Sequence, residues 1–437
     1  VRYYSQHTIL SAGLDRSFRM FSTIQDQQSR ELSQGHMAKK AKHLHVQEQQ
    51  VKLPPVLDFS AATLRENDWA NVLTCHHDDP AAYTWLYKNA VLGKHVLRPP
   101  ALDKAARTRE YEEKERGEKP IYKNPMKRGA NRVPGQVVDP EAAPRRKGGG
   151  GEHEKTRAKC VCVTACGNYG VVGYACGRID RYNMQSGAHR GTYWVPSPAG
   201  HEGGVFGVAV TALNEELVSG AFDGTIKIWD FDTQALLHTM TLGSPVAHLT
   251  LNRDNLLLAV ACDDLRVRVL DISSRRIVRD FAGHSNRITD TCVSPDGRWL
   301  LTSSADCTLR VHDIPTARLI DWVRFDKAVT GVSVSPTGDF IATSHADSVG
   351  IFLWANRTHF ANIFLGFTPP AAPAALALPS SAGPGDDAGV GEVEVGPDDD
   401  RYPVLVDQLA PSLVTFSTVP KARWQTLANL DVIKLRN

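Results

Sequence analysis

The stretch Ser219–Asp230, SGAFDGTIKIWD, decides how the whole chain is interpreted. Two carboxylates, Asp223 and Asp230, lie seven residues apart around a tight turn, and Trp229 directly precedes the second. A close pair of carboxylates is typical of the catalytic residues of a glycosidase. An Asp-Gly turn followed by the alternating strand TIKIW instead indicates a repeated architectural element. Whether the pattern recurs along the chain distinguishes these two interpretations.

The pattern does recur. Equivalent turn aspartates stand at Asp223, Asp264, Asp306 and Asp347, with spacings of 41, 42 and 41 residues. Each unit has an apolar strand, a turn such as SPDGRW or SPTGDF, a second strand, the aspartate turn and a third strand. A period of about 40–45 residues with short alternating strands is typical of WD-type propeller blades. A catalytic pair would be expected once in a chain, so we interpret these aspartates as turn residues.

Weaker copies of the unit keep the six-residue spacing between a turn aspartate and an aromatic residue. They are Asp15 with Phe21 and Asp79 with Trp85, and a further copy places Tyr182 at the aromatic position. The sequence therefore predicts an all-β fold, a seven-bladed WD-repeat β-propeller over residues 1–366. The predicted units are about 1–22, 51–97, 159–193, 201–241, 244–282, 284–326 and 328–366.

Two units carry a histidine 22 residues before the turn aspartate. In WD repeats such a histidine can form a buried hydrogen-bonded chain with a Ser or Thr, the turn Asp and the Trp, which satisfies these polar groups internally. The predicted members are His201, Ser219, Asp223 and Trp229 in one unit and His284, Thr302 and Asp306 in another, with Asp264 and Asp347 as the turn residues of their own units. Because His312 replaces the tryptophan, the hydrogen-bonded network of the second unit is predicted to be incomplete.

Two segments interrupt the repeat. Residues 23–50 are polar, and residues 98–158 are a basic insertion predicted to be disordered or partly helical. From Lys119 to Lys159 the insertion has eleven Lys or Arg against four acidic residues. Basic clusters bind polyanions by counterion release, so an RNA-contacting or nuclear-import arm is one interpretation and a solvated linker the other. The predicted RNA contacts are Lys123, Lys127, Arg128, Arg132, Arg145, Arg146 and Lys147.

After the repeat, residues 367–402 form a predicted linker, first rich in Pro, Ala and Gly and then acidic. Residues 403–437 are predicted to start a C-terminal helical domain, because Trp424, Leu427, Leu430 and Ile433 recur at three-residue steps. The opening VRYYSQHTIL resembles the middle of a chain, so we expect a fragment of a longer protein.

Composition and motifs point away from catalysis, metals and membranes. The net charge is only +2, and no apolar run is long enough to span a membrane. Eight cysteines fit a reducing compartment better than a disulfide framework. Cys160, Cys162 and Cys166 could suggest zinc, but the first two alternate along a strand, which favours buried core residues. We predict no enzyme, no cofactor, no metal and no small-molecule substrate.

Less regular stretches resemble one particular family. They are YNMQSGAHRG (182–191), SPDGRWLLTSSAD (294–306), SPTGDFIATSHAD (335–347), DVIKLRN (431–437), LPPVLDF (53–59), ENDW (66–69) and the opening ILSAGLDRSFRMFST. They are similar to the U-three small nucleolar RNA-associated protein twenty-one family, WD-repeat UTP-B subunits of the small-subunit processome. The resemblance covers nearly the whole chain apart from residues 98–158 and 370–400.

This resemblance implies two tandem propellers and a C-terminal helical domain, of which the chain would contain the second propeller and the beginning of the domain. It implies a nuclear, nucleolar ribonucleoprotein scaffold for pre-rRNA processing and 18S rRNA maturation. The implied partners are other WD-repeat UTP-B subunits, together with the small nucleolar RNP and pre-rRNA, contacted directly or through partners. The alternative is a WD-repeat adaptor in another complex, such as a ubiquitin-ligase substrate receptor, although no ligase-docking motif is visible.

Overall fold

The computed structural model describes residues 1–25, 28–35, 37–100, 156–194, 200–360 and 373–379. The chain divides into two units, Val1–Pro379 and Ser380–Asn437, and every described residue belongs to the first. The predicted basic insertion, apart from its ends, and the predicted C-terminal helical domain lie outside the described residues.

Within the described residues seven sheets follow one another along the chain, and each contains an antiparallel meander that forms one blade of a propeller. Blade 1 contains β1 (Arg2–Ser5), β2 (Thr8–Ala12), β3 (Phe18–Ser22) and β4 (Arg30–Glu31). Blade 2 contains β5 (Val56–Ala61), β6 (Val72–His76), β7 (Ala82–Leu86) and β8 (Val91–Leu97). Blade 3 contains β9 (Ala158–Val163), β10 (Tyr169–Tyr174), β11 (Ile179–Asn183) and β12 (His189–Tyr193).

The remaining blades repeat the same meander. Blade 4 contains β13 (Val205–Val210), β14 (Glu216–Ala221), β15 (Thr225–Asp230) and β16 (Leu236–Thr241). Blade 5 contains β17 (Val246–Asn252), β18 (Leu257–Cys262), β19 (Val267–Asp271) and β20 (Arg276–Phe281). Blade 6 contains β21 (Ile288–Val293), β22 (Trp299–Ser304), β23 (Thr308–Asp313) and β24 (Arg318–Phe325), and the described part of blade 7 contains β25 (Val329–Val334), β26 (Phe340–His345) and β27 (Ile351–Ala355).

The first strand of each blade lies innermost, and the ring closes where β25 contacts β1. The backbone N–H of Tyr3 donates to Ser333 Oγ at 2.9 Å across this closure. Blades approach closely near the axis: a Cβ added to Gly207 in β13 would lie 2.4 Å from Cβ of Leu249 in β17. A residue larger than glycine would therefore push blades 4 and 5 apart.

The core lies between the blades. Second strands such as β14 are almost fully buried because each sheet packs against a neighbour on both faces, whereas the outer strand β16 alternates between half-buried and exposed residues. Between blades 3 and 4, Trp229 and Phe231 pack with Tyr193 and Val171. Similar apolar clusters join the other successive blades from 1–2 to 6–7.

The segment predicted as a polar insertion at residues 23–50 differs from that prediction. It supplies β4, which pairs with β3, and the helices α1 (Met37–Leu44) and α2 (Glu48–Val51). Leu32, directly after β4, is completely buried. The polar composition was misleading because an outer strand exposed to solvent needs few apolar residues.

The segment predicted as a linker at residues 367–402 also contributes to the propeller. Within it, β28 (Ala374–Leu376) pairs in parallel with β24 and becomes a fifth strand of blade 6. A short helix, α3 (Arg357–Phe360), follows β27. No helix within the described ranges is long and apolar enough to cross a membrane.

Candidate functional site

The residues predicted around Asp223 come together in blade 4. Nδ1 of His201 lies 3.1 Å from Oδ2 of Asp223, and Nε2 of His201 lies 2.8 Å from Oγ of Ser219. The indole N–H of Trp229 donates to the same Ser219 oxygen at 2.9 Å. The chain of bonds ties the loop before β13 to β14, to the turn after it and to β15. Its polar groups bind one another, so the arrangement holds the blade together.

The negative charge of this network lies on the turn aspartate. Burial alone would raise the pKa of Asp223, but hydrogen bonds from His201 and from Thr225 outweigh burial and hold that pKa well below its ordinary value. The Thr225 hydroxyl donates to Asp223 Oδ1 at 2.7 Å. The carboxylate is therefore an acceptor at neutral pH, unsuited to donating a proton as a general acid.

Blade 6 repeats the first half of this network. His284 lies 3.1 Å from Asp306 Oδ2 through Nδ1 and 2.8 Å from Thr302 Oγ1 through Nε2. His312 stands where blade 4 has its tryptophan, and its ring packs 4.7 Å from that of Phe281. Burial, with a smaller contribution from the charge of His284, lowers the pKa of His312 to about 3.

The two other predicted turn aspartates have different surroundings. Asp264 accepts a hydrogen bond from Arg268 at 2.6 Å in place of a histidine. Asp347 adopts a left-handed backbone with φ of 53°, and its carbonyl oxygen accepts a hydrogen bond from Lys327 Nζ at 2.8 Å. Both residues close turns, and the structure brings neither into a histidine network.

Sequence reasoning missed a second form of the network, in blade 2. Here the histidine comes from the same strand as the hydroxyl: His76 Nε2 lies 2.9 Å from Thr74 Oγ1, and Trp85 donates to that hydroxyl at 2.8 Å. Nδ1 of His76 lies 2.6 Å from the carbonyl oxygen of Pro54. The Pro54 carbonyl, in the loop before the blade, thus takes the place of the aspartate as the partner of the histidine Nδ1.

Blade 7 has the same variant. His345 Nε2 lies 3.0 Å from Thr343 Oγ1, Trp354 donates to this hydroxyl at 2.9 Å, and His345 Nδ1 lies 3.2 Å from the Lys327 carbonyl. The available signal was a Thr-x-His triplet, present as TCH and TSH, followed by a tryptophan eleven residues after the threonine.

In blade 3 tyrosines pair the buried polar groups that histidine and tryptophan pair in the other blades. The hydroxyls of Tyr174 and Tyr182 lie 3.0 Å apart, and Asp180 beside them is fully buried. Arg178 and Thr192 each donate to Asp180 Oδ1 at 2.7 Å. This carboxylate is therefore neutralised by an arginine within its own blade.

A charged cluster joins the inner strands across the ring. Arg2 of blade 1 lies 3.8 Å from Asp58 of blade 2 and 3.4 Å from His248 of blade 5. His248 in turn lies 3.5 Å from Asp290 of blade 6, whose other oxygen accepts the N–H of Val332 at 3.0 Å. Burial lowers the pKa of His248, which favours its neutral form. The cluster stabilises contacts between blades.

Two of the three cysteines that could suggest zinc are packing residues. Cys160 and Cys162 are buried in β9, and burial raises the pKa of Cys160 well above its ordinary value. Within the described part of the chain, no group of three or more His, Cys, Asp or Glu residues is arranged to hold a metal ion. The predicted RNA contacts from Lys123 to Lys147 lie outside the described residues.

Comparison with known proteins identifies the propeller. The family model of the WDR36/Utp21 second beta-propeller domain matches residues 1–113 and 146–379. A second model, the Utp21 specific WD40 associated putative domain, matches residues 407–437.

Three similar proteins align over almost the entire chain. WD repeat-containing protein 36 of Homo sapiens is 36% identical over 443 residues, which is 100% of this chain and 44% of that protein. The U3 small nucleolar RNA-associated protein 21 homolog of Schizosaccharomyces pombe is also 36% identical, over 100% of this chain and 43% of its own length. U3 small nucleolar RNA-associated protein 21 of Saccharomyces cerevisiae is 30% identical over 99% of this chain and 41% of its own length.

The chain thus spans less than half the length of these relatives. Its seven-bladed ring and the match of the propeller model over both sides of the basic insertion agree. The chain belongs to the WDR36/Utp21 family and contains that family's second β-propeller.

Proposed function

We propose that the protein is a non-enzymatic scaffold of the small-subunit processome, acting in pre-rRNA processing and 18S rRNA maturation. The observation that carries this proposal is the alignment of the entire chain, at 36% identity, with a protein named for its association with U3 small nucleolar RNA. The same alignment supports a nucleolar location and a partnership with the small nucleolar RNP.

The structure supports a scaffold because its polar clusters stabilise the fold. His201, Asp223 and Trp229 bond within one blade, and Asp58 and Asp290 bond from one blade to the next. Side chains held in this way make a rigid frame whose loops and outer strands are available for partners. We propose that other WD-repeat UTP-B subunits contact this frame.

We further propose that the basic insertion contacts RNA through Lys123, Lys127, Arg128, Arg132, Arg145, Arg146 and Lys147. Their clustered positive charge supports binding to phosphates by counterion release, which is independent of base sequence. We also propose that a linker over residues 380–402 leads into a helical domain that begins within residues 403–437. The match of the second family model to residues 407–437 supports this boundary.

The proposal is tested by depleting the full-length protein from its own cells and probing precursor RNA by northern hybridisation. Unprocessed 18S precursors should accumulate, while precursors of the large-subunit RNAs should change little. Re-expression of the wild-type protein should restore processing and provides the control for off-target effects. Normal 18S processing in fully depleted cells would exclude the proposed function.

A further inference from the structure

The outer edges of blades 2 and 3 have an unusual charge pattern. Residues 86–98 and 183–194, which contain β8 and β12 with their preceding turns, include no Asp or Glu. They contain the exposed Lys94 and Arg190, the half-buried Arg98, and two histidines, His95 and His189. In a chain of nearly balanced charge, with 50 Lys or Arg against 48 acidic residues, such a one-sign surface is a candidate for binding an anion.

The two edges are in contact with each other. His95 of β8 packs against the turn before β12: a Cβ added to Gly187 would lie 2.8 Å from Nδ1 of His95. Gly187 has a φ of 68°, so a glycine suits both the backbone and the contact. We call this surface the basic rim, formed by Lys94, His95, Arg98, His189, Arg190 and Trp194.

Flat rings lie among the cations of the basic rim. Trp194 follows β12 directly and is 54% exposed, which is high for so large an aromatic side chain. His189 is held in place, with Nε2 3.1 Å from Thr192 Oγ1 and 3.4 Å from Oδ1 of the buried Asp180, and its ring lies edge-to-face with Tyr182 at 5.4 Å. Cations along a backbone track with aromatic rings for stacking are the combination that binds single-stranded nucleic acid.

The basic rim differs from the other arginine-rich edge, on blades 5 and 6. There each outer strand also contains an acidic residue: Asp280 in β20, which lies 3.1 Å from Arg266, and the exposed Asp321 in β24. Among the described residues, neither Lys94, Arg98 nor Arg190 has an acidic side chain within ion-pair distance. Their charges therefore remain available to an external anion.

We propose that the basic rim binds single-stranded RNA, with Lys94, Arg98 and Arg190 contacting phosphates and Trp194 stacking on a base. The inference rests on the proposed function, because it assigns to described residues one direct RNA contact of that scaffold. An acidic protein segment is the competing partner, but it would leave the exposed indole without a stacking partner.

The test is fluorescence anisotropy with the full chain and a fluorescein-labelled, mixed-sequence single-stranded RNA of about 20 nucleotides. The double variant K94E/R190E should bind at least about tenfold more weakly at low salt. The slope of log affinity against log salt should fall by about 0.7 for each phosphate that the variant no longer neutralises. Trp194→Ala should weaken binding about tenfold and leave the salt slope unchanged, because stacking releases no counterion.

The matched control is R276E/R318E, which reverses the charge of two exposed arginines on the outer edges of blades 5 and 6. This control should bind RNA within about twofold of wild type, and thermal unfolding should show that all variants remain folded. Wild-type affinity in K94E/R190E, or an equal loss in the control, would overturn the proposal. Tighter binding of a labelled polyglutamate peptide than of RNA would also overturn it, in favour of a protein partner.

These outcomes are separable from failure of the proposed function. If the rim variants bind RNA normally but depletion still blocks 18S maturation, the rim assignment fails and the function stands. If the rim binds RNA but depletion leaves 18S processing normal, the site stands and the processome function fails.

Discussion

At the scale of the residue, buried polar groups in this propeller are stable because each one finds a partner of the right geometry. Ser219 illustrates the point, since its hydroxyl bonds both His201 and the Trp229 indole. The sequence predicted this network because the 22-residue interval from histidine to aspartate is regular. The networks of His76 and His345 were not predicted, because each of these histidines lies on the strand itself. There the alternation alone suggests an ordinary strand residue.

Ser219→Ala should lower the free energy of unfolding by about 1–3 kcal/mol, because it leaves the buried Trp229 N–H and a His201 nitrogen without their partner. Ser285→Ala is the control, since Ser285 is exposed in the loop before β21 of blade 6. The control should change stability by less than about 0.5 kcal/mol. Urea unfolding followed by tryptophan fluorescence measures both, and equal stabilities of the two variants would refute the account of the network.

His312 gives the propeller a predictable pH dependence. Its pKa is lowered from the ordinary 6.5 to about 3 in the folded chain. As the pH falls below about 6.5, the unfolded chain therefore binds a proton that the folded chain does not, and folding loses stability. The loss amounts to about 2 kcal/mol between pH 7 and pH 5.

His312→Phe should remove this contribution, so its stability should fall less than that of wild type between pH 7 and pH 5. The aromatic ring of the variant can still pack on Phe281. His43→Phe, at an exposed histidine of α1, should follow the wild-type pH dependence. Denaturant unfolding at the two pH values measures the free energy of unfolding of each variant. An equal loss of stability in wild type and His312→Phe would contradict the conclusion that burial lowers the pKa of His312.

At the scale of the element, inner and outer strands differ in how well sequence predicts them. The second and third strands of a blade were predictable because apolar alternation and the Asp turn mark them, as in SGAFDGTIKIWD. The outer strands β4 and β28 were not, since both are short and lie mainly in solvent. The pairing of β28 with β24 joins residues about fifty positions apart, and its Ala-rich sequence carries no β-strand pattern.

The strand β28 should strengthen the junction of blades 6 and 7. Leu376 and Leu378 pack against the cluster that contains Phe325 and Trp354. Leu376→Asp should destabilise this junction by about 1–2 kcal/mol, because it places a charge against an apolar surface. Hydrogen exchange should become faster in β24 and β27.

The control for this change is Ala377→Asp, which places the same charge at the exposed neighbouring position. Exchange in β24 and β27 should then match wild type. If Leu376→Asp also leaves exchange unchanged, β28 does not contribute to the stability of the ring.

At the scale of the whole molecule, the closed ring explains why its candidate binding surface could not be found in sequence. Lys94 and Arg190 are almost a hundred residues apart, on outer strands of different blades, and only the ring brings their strands side by side. The turn aspartates, by contrast, could be recognised in the sequence, because their regular spacing indicates the repeated blades of a propeller. Family membership was visible in irregular stretches such as YNMQSGAHRG, part of which forms the turn against which His95 packs.

The central proposal is that this propeller belongs to a scaffold acting on the precursor of 18S rRNA. The most direct measurement is affinity purification of the tagged full-length protein from its own cells, with sequencing of the bound RNA and identification of bound proteins. The account predicts enrichment of U3 small nucleolar RNA, of 18S-containing precursors and of other WD-repeat UTP-B subunits. Recovery of ubiquitin-ligase subunits, with neither of these RNAs enriched over an untagged control, would contradict it.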